Sequence, residues 1–138
     1  MTTHILALEK DLFFSVKMRD TLRHFDMEVK TVRNLPAFEE SLRVKDDQEF
    51  VLVIVNTATT GVDWETAIRK ARTAGLKVLA FGSHMDLDAR SKALEAGAQR
   101  VVANSKFTSD MPGLVQRMLD ERDASSLDET ESEPESAI

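Results

Sequence analysis

The sequence predicts a doubly wound α/β domain built on a five-stranded parallel sheet, and three observations carry that expectation. Short apolar segments alternate strictly with stretches of helical periodicity. The most apolar segment, residues 50–55 (F-V-L-V-I-V), is hydrophobic on both faces, as a central parallel strand must be. The helical stretches between strands also begin and end on capping residues, and each is long enough to serve as the crossover that parallel neighbours need.

Taken in order, residues 4–8 (H-I-L-A-L) read as the first strand. Asp11 then caps a helix whose expected buried stripe is Leu12, Val16, the Arg19 stem, Leu22 and Phe25. Residues 27–32 alternate, with Met27, Val29 and Val32 set against Glu28 and Lys30, which predicts a half-buried second strand. Asn34 with Pro36 opens a helix to about Lys45, and residues 50–55 form the core strand. After the loop N-T-A-T-T-G, Asp63 caps a third helix to about Ala74, which Gly75 stops. Residues 78–81 are the fourth strand, and Asp86 begins a fourth helix ended by Gly97. Residues 100–103 make a short fifth strand, and Ser109 with Pro112 starts a last helix through about Arg122. Met111, Leu114, Val115 and Met118 have the spacing of its core face. Five strands and five helices result.

A chain of 138 residues that is 42% hydrophobic can bury one core, so a single domain over 1–122 is expected. No apolar run approaches the roughly 18 residues that span a bilayer. The first residues lack the order of a secretory signal, and there is no cysteine for disulfides or thiolate metal sites. A soluble, cytoplasmic protein without a membrane partner is the expectation. Residues 123–138 carry six carboxylates and no Lys or Arg, and with little to bury they are expected to form an acidic disordered tail. Without those six, the 24 acidic side chains fall to 18, matched by 18 basic ones. An electrically balanced body argues against a nucleic-acid partner, which needs a clustered basic surface.

In doubly wound sheets the ligand crevice lies beyond the carboxyl ends of the strands, which are here followed by residues 9–11, 56–61, 82–84 and 104–106. The opening I-L-A-L-E-K-D (5–11) and the segment A-L-E-A-G-A-Q-R-V-V (93–102) resemble, with their spacing, the response-regulator receiver (CheY-like) family over roughly residues 3–120. Val62 and Asp63 also fall where receivers often carry an apolar-acidic pair. The resemblance implies a flavodoxin-like (βα)5 sheet in the order 2-1-3-4-5 and a role in two-component signal transduction. In the family, two acidic residues after the first strand and an Asp ending the third hold magnesium, and that Asp takes the phosphoryl group. Those positions fall here on Glu9, Lys10 and Asn56. The family's Thr or Ser after the fourth strand falls on Gly82, its switch aromatic on Val101, and its Lys-Pro pair on Asn104 and Ser105.

These replacements remove the chemistry. An amide cannot form an acyl phosphate, and the Lys10 ammonium stands where a hard cation would sit. Glu9, Lys10, Asn56, Gly82 and Asn104 are therefore expected to form a vestigial phosphorylation pocket with no metal and no cofactor. Lys10 is expected either to reach Glu9 or the Asn56 carbonyl in the metal's place, or to point to solvent. Lys106, two positions past the expected lysine, is a candidate to re-enter the pocket.

Other features carry less. The loop T-A-T-T-G (57–61) has the composition of phosphate-binding loops but follows the wrong strand, and His4, His24 and His84 lack metal spacing. Trp64 is read first as a packing residue and second as a pocket cover or partner anchor. By analogy with receivers, Lys92, Glu95, Arg100, Val101, Gln116 and Met118 are placed near a partner face. The leading expectation is a stand-alone, non-enzymatic pseudo-receiver that binds signalling proteins independently of phosphorylation, with oligomeric state open. The alternative is a small-ligand or nucleotide sensor using the crevice.

Overall fold

The computed structural model describes residues 2–43 and 49–121. Five strands, β1 (Thr3–Leu8), β2 (Met27–Val32), β3 (Phe50–Asn56), β4 (Lys77–Gly82) and β5 (Arg100–Ala103), form one parallel sheet in the order β2-β1-β3-β4-β5. Among the described residues six helices accompany them: α1 (Leu12–Arg23), α2 (Leu35–Arg43), α3 (Trp64–Thr73), α4 (Leu87–Ala96), α5 (Asn104–Ser109) and α6 (Met111–Asp120). The order agrees with the sequence expectation. The expected helix ends at Lys45 and Arg122, the boundary after residue 122 and the acidic tail lie outside the described residues.

The capping residues set the helix positions. Asp11 accepts hydrogen bonds from the Phe13 and Phe14 amides, Asn34 from Ala37, Asp63 from Thr66 and Asp86 from Ala89. At the other end of α4, Gly97 adopts φ 120°, a conformation that L side chains rarely take, and it turns the chain directly into β5.

Alternation across the sheet divides the core in two. Ile5, Ala7, Leu52, Ile54, Leu79 and Phe81 point to one side, where α1, α5 and α6 cover them with Met18, Leu22, Phe107, Met111, Leu114, Val115 and Met118. Leu6, Leu8, Val53, Val55, Val78 and Ala80 point to the other, under Phe38 of α2, Ala67, Ile68 and Ala71 of α3, and Ala93 and Ala96 of α4. Four consecutive residues of β3, Leu52 to Val55, are fully buried, as two-sided cover requires.

Two sequence expectations need correction. The buried stripe of α1 is Ser15, Met18 and Leu22, whereas Leu12, Val16 and Phe25 are exposed. A small serine and a flexible methionine fit beneath the helix and rotate the apolar stripe toward solvent. The second correction concerns the count: a sixth helix, α5, begins at Asn104 directly after β5, anchored by fully buried Phe107. Ser109 thus ends α5, and α6 starts after Asp110 with Pro112 in its first turn.

Candidate functional site

The strand ends bring Glu9, Asn56 and Gly82 to the crevice above β1, β3 and β4. Glu9 follows β1 and Asn56 is the last residue of β3; both side chains are buried, Glu9 only 1% exposed. The Asn56 amide Nδ2 donates to both carboxylate oxygens of Glu9, at 2.9 Å to Oε1 and 3.1 Å to Oε2. The Asp11 backbone N–H donates to Glu9 Oε2 at 3.0 Å, and the Ala58 N–H donates to Asn56 Oδ1 at 2.9 Å. Each end of the Asn56 amide is thereby fixed, oxygen toward the loop and nitrogen toward Glu9. Burial nonetheless raises the Glu9 pKa above the ordinary carboxylate value, because the Asp11 and Asn56 bonds offset only part of the desolvation.

Lys10 takes neither expected course. Its ammonium crosses the crevice to the Thr60 carbonyl at 3.1 Å, and no ion pair joins it to Glu9 among the described residues. The Glu9 oxygens are already engaged by Asn56 and Asp11, so the exposed lysine ties the β3–α3 loop to the end of β1 instead. Arg33, after β2, donates to the Lys10 carbonyl at 2.9 Å and steadies the same turn.

Gly82 also has a local reason. A Cβ built there would lie 2.2 Å from Thr57 Oγ1, and that hydroxyl donates to the Phe81 carbonyl at 3.3 Å. The hydroxyl expected from β4 is thus excluded by one from the β3–α3 loop. Thr57 was not singled out by sequence reasoning beyond its Thr-rich loop, where a neighbouring hydroxyl, that of buried Thr59, donates to the Asn56 carbonyl at 2.7 Å.

Among the described residues, no hydrogen bond joins the remaining candidates to Glu9 or Asn56. Asn104 is the first residue of α5, and its carbonyl accepts from the Thr108 hydroxyl. Lys106 is half-buried in α5, with no hydrogen bond or ion pair to Glu9 or Asn56 among the described residues. Val101 is buried beneath α4, beside a cavity of about 70 Å³ lined by Thr57, Gly82, Leu87 and Arg90 among others. Arg90, a residue the sequence did not flag, donates to the Val101 carbonyl at 2.8 Å across that cavity. Trp64 packs half-buried against the core under α2, α3 and α4.

The expected partner face is corrected in part. Met118 is fully buried in the core, Val101 is buried, and Arg100 is buried in an ion pair with Glu121. Their helical or strand phase turns them inward, so they offer no contact surface. Lys92, Glu95 and Gln116 are exposed.

A divalent cation fits this donor set poorly. Glu9 is bonded through both oxygens to an amide, Lys10 is itself a cation, and the Asp11 carboxylate caps α1. Among the described residues, no three His, Asp or Glu side chains gather where they would hold a metal. No helix there is long and apolar enough to cross a membrane.

The sheet order and strand-end crevice define a flavodoxin-like receiver architecture. The chain matches the receiver fold of solved response regulators at low sequence identity. A response regulator from Thermotoga maritima superposes with a TM-score of 0.71 at 18% identity, covering 88% of this chain and 100% of its own. The receiver domain of a sensor histidine kinase from Pseudomonas aeruginosa, solved with magnesium coordinated in its active-site cleft, gives 0.73 at 17% identity over 88% and 100%. The chemotaxis response regulator CheY4 of Vibrio cholerae gives 0.70 at 13% identity over 85% and 98%. No family model matches the chain, and no curated protein sequence does.

Proposed function

We propose that this chain is a degenerate receiver that transmits signals by binding other proteins, without accepting phosphate and without enzymatic activity, in the cytoplasm. The observation that carries the reading is the Asn56–Glu9 pair. At the position where receivers keep the acceptor aspartate, an amide donates two hydrogen bonds to the neighbouring acid. Two carboxylates at that separation would repel, and a metal ion is the usual remedy. The amide removes the repulsion and the need for the metal together. The same substitution removes the nucleophile.

A nucleotide-sensing role has less support, since the cavity at the ends of β4 and β5, about 70 Å³, is well below the ~300 Å³ of ordinary ligand pockets. Incubation with Mg2+ and a small-molecule phosphodonor, followed by intact-mass measurement, tests the reading. An unchanged mass is expected, and an acid-stable or acid-labile phosphoryl increment overturns it.

A further inference from the structure

A cavity of about 280 Å³ opens at the N-terminal ends of β3 and β4, at the other end of the parallel sheet from the Glu9–Asn56 crevice. Val51, Arg72, Gly75, Lys77 and Leu119 line it, and none of them is acidic. Its apolar wall has a cause in the strand register. His4 of β1 pairs with Phe50 of β3 but Ile5 pairs with Leu52, so the register slips by one residue and Val51 is left over, 43% exposed. Leu119, half-buried near the end of α6, stands with it.

The two cations of the cavity are held in place but not neutralised. Arg72 donates from Nη1 to the Leu76 carbonyl at 3.1 Å, and its stem lies against Gly97, where an added Cβ would come within 2.7 Å of Arg72 Cγ. Its remaining guanidinium N–H groups meet no carboxylate among the described residues. Lys77 donates to the Met118 carbonyl at 2.6 Å and to the Glu121 carbonyl, as a cation at a helix C-terminus does. The Glu121 carboxylate beside it is taken by Arg100.

From this geometry we infer that the cavity is the docking site of the chain's own acidic segment, with Leu127 between Val51 and Leu119 and the Asp128 and Glu129 carboxylates on Arg72 and Lys77. Three observations select that occupant. Lys77 fixes the Glu121 carbonyl at the rim, so the chain leaves the fold at the site itself, and the stretch from Glu121 to Leu127 spans at most ~20 Å. Residues 123–138 carry six carboxylates and no Lys or Arg, which complements a cationic rim without acids. Leu127 stands directly before Asp128 and Glu129, an apolar side chain followed by two acids, as the cavity sets an apolar wall beside two cations. So short a tether also raises the local concentration of the segment to about the millimolar range, above that of a free acidic peptide.

The test uses the full chain, followed by amide NMR, with the first substitutions placed in the acidic segment so that the folded body keeps its sequence. Leu127→Ser with Asp128→Asn and Glu129→Gln should shift the amides of Val51, Gly75, Lys77 and Leu119 and leave those of Glu9 and Asn56 in place. Glu133→Gln, an acid outside the anchor, should leave all of them unmoved. Reciprocally, Arg72→Gln should shift the Leu127, Asp128 and Glu129 amides and cancel most of the excess heteronuclear NOE that they show over residues 133–135. Raising the salt about tenfold should act in the same direction. Unmoved cavity amides in the triple variant, or equal shifts with Glu133→Gln, overturn the inference. Shifts that grow with protein concentration overturn it as well, by making the occupant the segment of a second copy. Should Arg72→Gln fail to fold, the triple variant and Glu133→Gln decide the matter by themselves.

Discussion

Asn56 and Glu9 are joined by two hydrogen bonds from a single amide nitrogen, 2.9 and 3.1 Å long, in a buried crevice. The pair is satisfied without a metal, since the Ala58 N–H engages the amide oxygen and the Asp11 N–H adds a second bond to Glu9 Oε2. Replacing Asn56 with Asp keeps the shape but sets two acids against each other. A loss of about 3 kcal/mol at neutral pH is expected from the Coulomb term at an effective dielectric near 20, reduced by partial protonation. Chemical denaturation should show that loss, with Mg2+ restoring part of it in N56D and none in the parent chain.

Glu9 predicts a pH dependence of defined sign. Burial raises its folded-state pKa above the ordinary 4.5. Between the two values the native state binds more protons than the unfolded chain, so the Glu9 contribution falls as pH rises through the folded-state value. It recovers as pH drops toward 4.5. Relative to Glu9→Gln, the parent chain should therefore gain stability on mild acidification, as read by the difference between their denaturation midpoints across that window.

Asp63 behaves oppositely. Its carboxyl is held below the usual range by the Thr66 hydroxyl and amide, so its benefit is present above 3.8 and is lost as pH falls through the depressed value. Asp63→Ala removes the α3 cap and should lower stability by about 1 kcal/mol at pH 7. That difference should shrink in acid, measured by urea unfolding at neutral pH and below 3.8.

Gly82 and Thr57 predict a coupled pair. Gly82→Ala forces a methyl to within 2.2 Å of Thr57 Oγ1 unless the threonine side chain moves, and overpacking of this kind costs about 1–3 kcal/mol. Combined with Thr57→Ala, which removes that hydroxyl, the cost should fall by at least half. A double-mutant cycle by thermal or chemical unfolding measures the coupling.

Much of this architecture is legible in the sequence, because caps and apolar runs are local signals. Asp11, Asn34, Asp63, Asp86 and Gly97 stand where the structure uses them. The two-sided apolarity of residues 52–55 marks the central strand for the same reason. Helix α5 is missed because N-S-K-F-T-S carries one core residue, Phe107, and no periodicity. The face of α1 is missed because Ser15 and Met18 are weaker apolar signals than Leu12 and Val16, although they are the ones beneath the helix. At the crevice, Glu9 and Asn56 are identifiable as strand-end residues and through the receiver resemblance. Their mutual bond, the Lys10–Thr60 tether and the Thr57–Gly82 contact depend on side-chain directions across different strands and loops, which spacing does not encode.

The most direct test of the central claim is an NMR titration of the full chain with Mg2+ and beryllofluoride, a phosphoryl mimic. A crevice closed by the Asn56–Glu9 bonds predicts no saturable shift of the Glu9, Asp11, Asn56 or Ala58 amides at millimolar concentrations. Saturable shifts at those amides, abolished by omission of Mg2+, would contradict it.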